Sequence, residues 1–164
     1  MKKFLFFSII VFLAHNGFAQ SDTSQPLYLR FPAIPQFTIK TATGDTAFSR
    51  ESLHKNKPVV LILFSPDCEH CQHETTELLA NIQKFKRAQI VMITYQPYEA
   101  MVKFYQEYNI VNYPQITMGR DTKFFFPIFY RVRNMPSIFV YDKKGKFKKA
   151  FEGSVGIDKI ADEL

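Results

Sequence analysis

The chain contains no tryptophan, only two cysteines, and no apolar run long enough to cross a bilayer. The longest such run, Phe4 to Ala14, is well short of the roughly 20 residues a membrane-spanning helix needs. Two cysteines three residues apart exclude a stabilising staple. Loop-closure entropy grows with the number of residues bridged, and a Cys68–Cys71 bridge would close almost none. In an oxidising compartment a pair so spaced is suited to being made and broken. A strong excess of charge is also missing: the formal net charge is +6, and it falls to +4 without Lys2 and Lys3, because residues 1–19 contain no acid. That is too little to argue for nucleic acid. Internal repeats and low-complexity tracts are absent. The most basic stretch, Lys143 to Lys149, has the Asp-x-x-Gly form of a hairpin turn and reads as a solvated edge, with a membrane-surface contact as the lesser alternative.

What is present begins with Met1-Lys2-Lys3, a basic opening followed by the short apolar run, which together have the form of a signal peptide. Gly17-Phe18-Ala19 offers a cut leaving Gln20 as the first mature residue, with an uncleaved anchor as the alternative. No cysteine follows the apolar run, so lipidation is not expected. The expected organisation is a signal peptide over 1–19, a leader over 20–31 and one domain over 32–164, exported to the periplasm or cell envelope. Two Pro-marked pieces, Leu27 to Phe31 and Gln36 to Ile39, read as extended, and Thr43-Gly44-Asp45-Thr46 reads as a hairpin turn. Ser49 is an N-cap for a short helical turn, and Val59 to Phe64 is a strand buried on both faces. A helix from about Cys68 to Lys86 places Leu78, Leu79, Ile82 and Phe85 toward a core. A second buried strand runs from Gln89 to Tyr95, a helix from Pro97 to Tyr108, and a hairpin from Ser137 to Glu152, before a last helix from about Gly156. Signals between Val111 and Asn134 are faint, with a short strand at Gln115 to Met118 and a helix around Pro127.

A buried strand ending at a Cys-x-x-Cys helix, with a late proline before a hairpin, describes an α/β thioredoxin-like sheet with an added N-terminal strand pair. In open α/β sheets the site lies at the carboxyl ends of strands, and Cys68 sits at such an end. Cys68 is the expected nucleophile, since the unpaired N–H groups and dipole of a helix start favour negative charge there. His70, if protonated, would stabilise a thiolate, while Glu69 and Asp67 oppose it. Residues 71 and 74 share a helix face, so a partly buried Glu74 carboxylate could exchange a proton with the thiol of Cys71.

Pro35-Gln-Phe-Thr-Ile39, Gly44-Asp-Thr46, Lys57-Pro-Val-Val-Leu61, the Cys-x-x-Cys and Met135-Pro136-Ser137 together resemble the TlpA/ResA family of exported thioredoxin-like reductases, over roughly residues 32–164. The resemblance implies that Pro136 is cis and lies against the disulfide, and that the Met135 backbone pairs with an extended substrate segment. Cys68-Glu69-His70-Cys71-Gln72-His73-Glu74 is similar to the ResA-like Cys-Glu-x-Cys-x-x-Glu, which implies that Glu74 is the active-site acid. The implied partners are disulfide-containing protein substrates and a membrane or periplasmic electron donor. No cofactor or metal is called for, and a monomer is expected. The chain departs from family habit in lacking tryptophan and in carrying Phe64-Ser65-Pro66-Asp67 before the first cysteine.

Rival readings rest on specific residues. His70 resembles the histidine of DsbA-like oxidants, and a shift of about 30 mV in potential corresponds to about 1.4 kcal/mol, so one imidazolium can change the preferred direction. Ser65-x-x-Cys68, with Arg131 or Arg133, suggests a peroxiredoxin-like peroxidase, although Leu61 stands where that family's proline belongs. Cys68, His70, Cys71 and His73 are too crowded on one helical turn to surround zinc, and the chain has no histidine after His73 to serve copper delivery. A binding module using Phe124 to Tyr130 as an apolar surface is the reading from outside redox chemistry.

Overall fold

The computed structural model describes residues 25–44 and 46–164. The expected signal peptide and residues 20–24 of the expected leader lie outside the described residues, as does Asp45 of the expected hairpin turn.

Val59-Val-Leu-Ile-Leu63 forms β3, and all five residues are buried. Successive side chains of a strand point to opposite faces, so Val60 and Ile62 enter one core while Val59, Leu61 and Leu63 enter the other. A strand apolar at every position is therefore stable only with both faces covered. Its parallel neighbour β4 (Gln89–Thr94) is buried throughout as well, in the register Val59 with Gln89 to Leu63 with Ile93. On the other side β6 (Ser137–Tyr141) runs antiparallel, setting Ser137 opposite Leu63 and Tyr141 opposite Val59. With β1 (Thr38–Thr41), β2 (Ala47–Ser49), β5 (Ile116–Arg120) and β7 (Phe147–Glu152), these make one seven-stranded mixed sheet in the order β2-β1-β5-β4-β3-β6-β7.

The first core packs the sheet against α2 (Glu69–Ala80), α3 (Tyr98–Glu107) and α5 (Ile157–Ala161), through Leu78, Met101, Phe104 and Ile160. The second packs it against α1 (Leu27–Arg30) and α4 (Phe125–Tyr130), through Phe126, Phe129 and Tyr130. Full burial of such a side chain is worth about 1.5–3 kcal/mol, so the two apolar layers dominate the stability of the fold. The Tyr130 and Tyr141 hydroxyls meet at 2.7 Å inside the second core. Burial pushes the Tyr130 phenol well above its ordinary value, and that of Tyr141 up to about 12.

Three local expectations are corrected. Leu27 to Phe31 is not extended: Leu27–Arg30 is a short helix, and the Tyr28 ring packs 5.6 Å from Tyr130, 5.2 Å from Phe139 and 5.0 Å from Phe147. Tertiary aromatic contacts outweigh the local proline signals there. The helix expected to reach Lys86 stops at Ala80, where the Asn81 side chain donates to the Glu77 carbonyl at 3.0 Å, and a separate 3-10 turn covers Ile82–Phe85. The faint strand of the middle region runs further than expected, through Gly119 to Arg120. A Cβ at Gly119 would come within 2.7 Å of Ile39 Cδ1, so this glycine allows the close approach of β5 to β1 rather than ending a strand.

Candidate active site

Strand β3 ends at Leu63, and Phe64 remains tied to β4 through its N–H to the Ile93 carbonyl at 3.0 Å. The chain then turns over Ser65, Pro66 and Asp67, and the Cys68 N–H donates to the Ser65 carbonyl at 3.2 Å. Cys68 occupies the N-cap of α2 with extended backbone angles, and its carbonyl accepts the N–H groups of Cys71 and Gln72 at 2.9 and 3.0 Å. Gln72 fixes the loop from the helix side, its amide donating to the Pro66 carbonyl at 2.8 Å. The first cysteine is thus set at the mouth of a helix by a loop pinned at both ends.

The two thiols differ sharply. Cys68 is half-buried, whereas Cys71, one turn into the helix, is only 1% exposed. Burial pushes the Cys71 thiol far above its ordinary range, a hydrogen bond with Cys68 and the charges of Cys68 and Glu74 push the same way, and the Ser65 backbone pulls it back in part. Both cysteines are free thiols in this structure. Cys68 is therefore the more accessible of the two thiols, and the proton of Cys71 is the harder one to remove.

Because β6 is antiparallel to β3, the residues preceding Ser137 arrive beside the end of β3. The Met135–Pro136 peptide bond is cis, and the Cys68 thiol points at the Met135 carbonyl at 3.7 Å. The Ser137 hydroxyl donates to the Asn134 carbonyl at 2.6 Å and the Gly153 N–H to the Pro136 carbonyl at 2.8 Å, which brace this loop from both sides. Pro136 is buried and Met135 half-buried against the first core.

Glu74 lies one turn beyond Cys71 and is 3% exposed. Its Oε2 accepts a hydrogen bond from the Ser154 hydroxyl at 2.5 Å, while its Oε1 is buried without a partner among the described residues. A buried carboxylate oxygen left unpaired is costly, which makes this an unusual place for a glutamate unless its chemistry is used. The structure thus brings Cys68, Cys71, Glu74, Met135 and Pro136 to one end of the sheet. Glu69 and His70, the expected tuning residues, stand exposed on the first turn of α2. Among the described residues no group of three or more His, Cys, Asp and Glu side chains is arranged to hold a metal. Of the aromatic stretch offered as a docking surface, Phe126, Phe129 and Tyr130 are core, while Phe124 and Ile128 are exposed.

Ser154 was not singled out from the sequence. Its only signal is topological: β7 is antiparallel to β6, so the loop after β7 returns to the end of the sheet that carries the dithiol.

A sheet of this order, with a half-buried thiol at a helix start, a fully buried partner behind it and a cis-proline loop alongside, defines a thioredoxin-like oxidoreductase. The sequence agrees, since residues 32–150 match the AhpC/TSA family model. The chain belongs to the AhpC/TSA family. No curated protein matches it in sequence. Among solved structures it is similar to a secreted Mycobacterium tuberculosis disulfide oxidoreductase homologous to E. coli DsbE, with 24% identity, a TM-score of 0.65, and coverage of 78% of this chain and 93% of that one. It is similar to MTB DsbF in its mixed oxidised and reduced forms at 25% identity and a TM-score of 0.66, covering 78% and 92% of the two chains. Peroxidoxin BcpB from Mycobacterium tuberculosis shares the fold at 20% identity and a TM-score of 0.65, over 79% of this chain and 89% of that one. These likenesses are consistent with a TlpA/ResA-like protein.

Proposed function

We propose that this protein is an exported thiol-disulfide oxidoreductase that reduces disulfides of envelope proteins with the Cys68–Cys71 dithiol. The observation that carries the reading is the unequal burial of the two thiols beside the Met135–Pro136 loop. The Cys68 thiolate attacks one sulfur of the substrate disulfide, forming a mixed disulfide and releasing the other substrate sulfur as a thiolate that takes up a proton. Glu74 then accepts the proton of Cys71, whose thiolate attacks Cys68 Sγ. The Cys68–Cys71 disulfide forms and the second substrate thiolate leaves. A dithiol donor in the envelope returns two electrons and two protons to the pair. An extended substrate segment alongside Met135 is held by strand addition, its main chain pairing with that backbone. Glu69 and His70 tune the potential. Export rests on the signal-peptide pattern of residues 1–19, and the secreted neighbour supports it. Among the described residues no helix is long and apolar enough to cross a membrane.

The family match and the likeness to a peroxidoxin support a second reading. In it Cys68 attacks a peroxide to give a sulfenic acid, with release of an alcohol or water, and Cys71 condenses with it, expelling water. One experiment separates the two. The reduced protein is offered insulin and, separately, hydrogen peroxide. Rapid insulin reduction with slow peroxide consumption, abolished in Cys68→Ser, is the expected result; the reverse preference sinks the reductase reading, and unchanged insulin reduction in Cys68→Ser removes the dithiol from the chemistry altogether.

A further inference from the structure

Glu74 poses a problem of proton traffic. It is 3% exposed and sits behind Cys71, which is 1% exposed, so a proton taken from the thiol has no direct way to solvent. Among the described residues the one hydrogen-bond partner of its carboxylate is the Ser154 hydroxyl, at 2.5 Å, in the loop that joins β7 to α5. Ser154 is itself exposed. A serine hydroxyl both donates and accepts, so this group can touch the buried carboxylate on one side and water on the other. Alanine at this place breaks the chain of hydrogen bonds, and a long cation would pair with the carboxylate, whereas a hydroxyl of this length does neither.

We propose that Ser154 is a positioning residue that carries protons between Glu74 and bulk solvent and holds the carboxylate toward Cys71. In the resting site the hydroxyl donates to Glu74 Oε2. After Cys71 gives its proton to Glu74, the Ser154 hydroxyl turns its hydrogen to a water outside, and the carboxyl group passes a proton to Ser154 Oγ as that hydrogen moves to the water. The carboxylate is restored, the serine is unchanged, and one proton has left the site. The same path run backwards supplies the proton that Cys71 regains when the dithiol is restored. The inference rests on the reading of Glu74 as the base for Cys71.

The test uses the reduced full chain and Ellman's reagent, an aromatic disulfide whose two coloured thiolates leave in succession. The first release reports attack by Cys68 and the second reports resolution by Cys71. Ser154→Ala is expected to leave the first phase unchanged and to slow the second about tenfold, the scale of losing a hydrogen bond to a charged group. Ser154→Thr, which keeps the hydroxyl, restores it. In a Glu74→Gln background Ser154→Ala has no further effect, because a residue that acts only through Glu74 has nothing left to act on. A normal second phase in Ser154→Ala, or an undiminished added loss in the Glu74→Gln background, overturns the inference while leaving Glu74 in place. A normal second phase in Glu74→Gln alone overturns the reading of Glu74 and the role of Ser154 with it.

Discussion

Replacing Glu74 by methionine should move stability and activity in opposite directions. The Oε1 atom is buried without a partner, and such an atom costs about 1–3 kcal/mol, more when charged. Against this, the bond from Ser154 to Oε2 contributes about 1.5–3 kcal/mol. Methionine has nearly the length of glutamate, removes both oxygens, and adds apolar burial at about 0.8 kcal/mol per methylene. The freed Ser154 hydroxyl is exposed and turns to water. The balance is a net gain on the order of 1 kcal/mol, or a rise of roughly 2–4 °C in Tm for a domain of this size. Removal of the proposed base for Cys71 should meanwhile slow the second, resolving phase with Ellman's reagent by about 100-fold or more, the range of general base catalysis. Thermal unfolding followed by circular dichroism gives the first quantity and stopped-flow absorbance the second. A Glu74→Met variant that melts several degrees lower and resolves at the normal rate would show that the carboxylate is there for structure, and the argument from its burial would fail.

Cys71→Ser should accumulate mixed disulfides with client proteins on Cys68, visible as reducible adducts on gels; an absence of adducts in cells that hold the client would argue against resolution by Cys71. The reduced protein should lose stability as the pH rises from about 9 to 10. Burial raises the Cys71 thiol above its ordinary 9.0, so the folded chain keeps a proton that the unfolded chain gives up, and that contribution, complete below pH 9, drains away as pH climbs toward the folded value. Cys71→Ala should flatten, without abolishing, the slope of Tm against pH in this window, because Tyr28, Tyr130 and Tyr141, all raised from 10.0, add their own loss as pH nears 10. An unchanged slope would contradict the assignment. Tyr130→Phe should cost about 1–3 kcal/mol by leaving the Tyr141 hydroxyl buried without its partner, and Tyr130→Phe with Tyr141→Phe should recover most of that loss. Equal melting of the single variant and the parent would refute it.

Much of this architecture is readable in the chain itself where one local signal suffices. The run from Val59 is apolar at successive positions and opened by Pro58, and Ser137–Tyr141 follows a proline and precedes a turn, so both strands stand where expected. The Cys68 to Cys71 spacing likewise places the first thiol at a helix start, where it is the more accessible of the two, whereas the burial of Cys71 comes from the core packed behind it. What local signals miss depends on distant partners. Tyr28 is helical because three rings from α4, β6 and β7 surround it, and Gly119 lies in a strand because Ile39 presses on it. Ser154 meets Glu74 only because β7 folds back on β6, a contact separated by 80 residues that no spacing reveals.

The reduction potential of the Cys68–Cys71 pair bears most directly on the proposed direction of reaction. It is read by equilibrating the protein against dithiothreitol or glutathione buffers and trapping the free thiols by alkylation. The account predicts a value of about −270 mV or lower, in the range of reductants. A value near about −120 mV would make the protein an oxidant and contradict it.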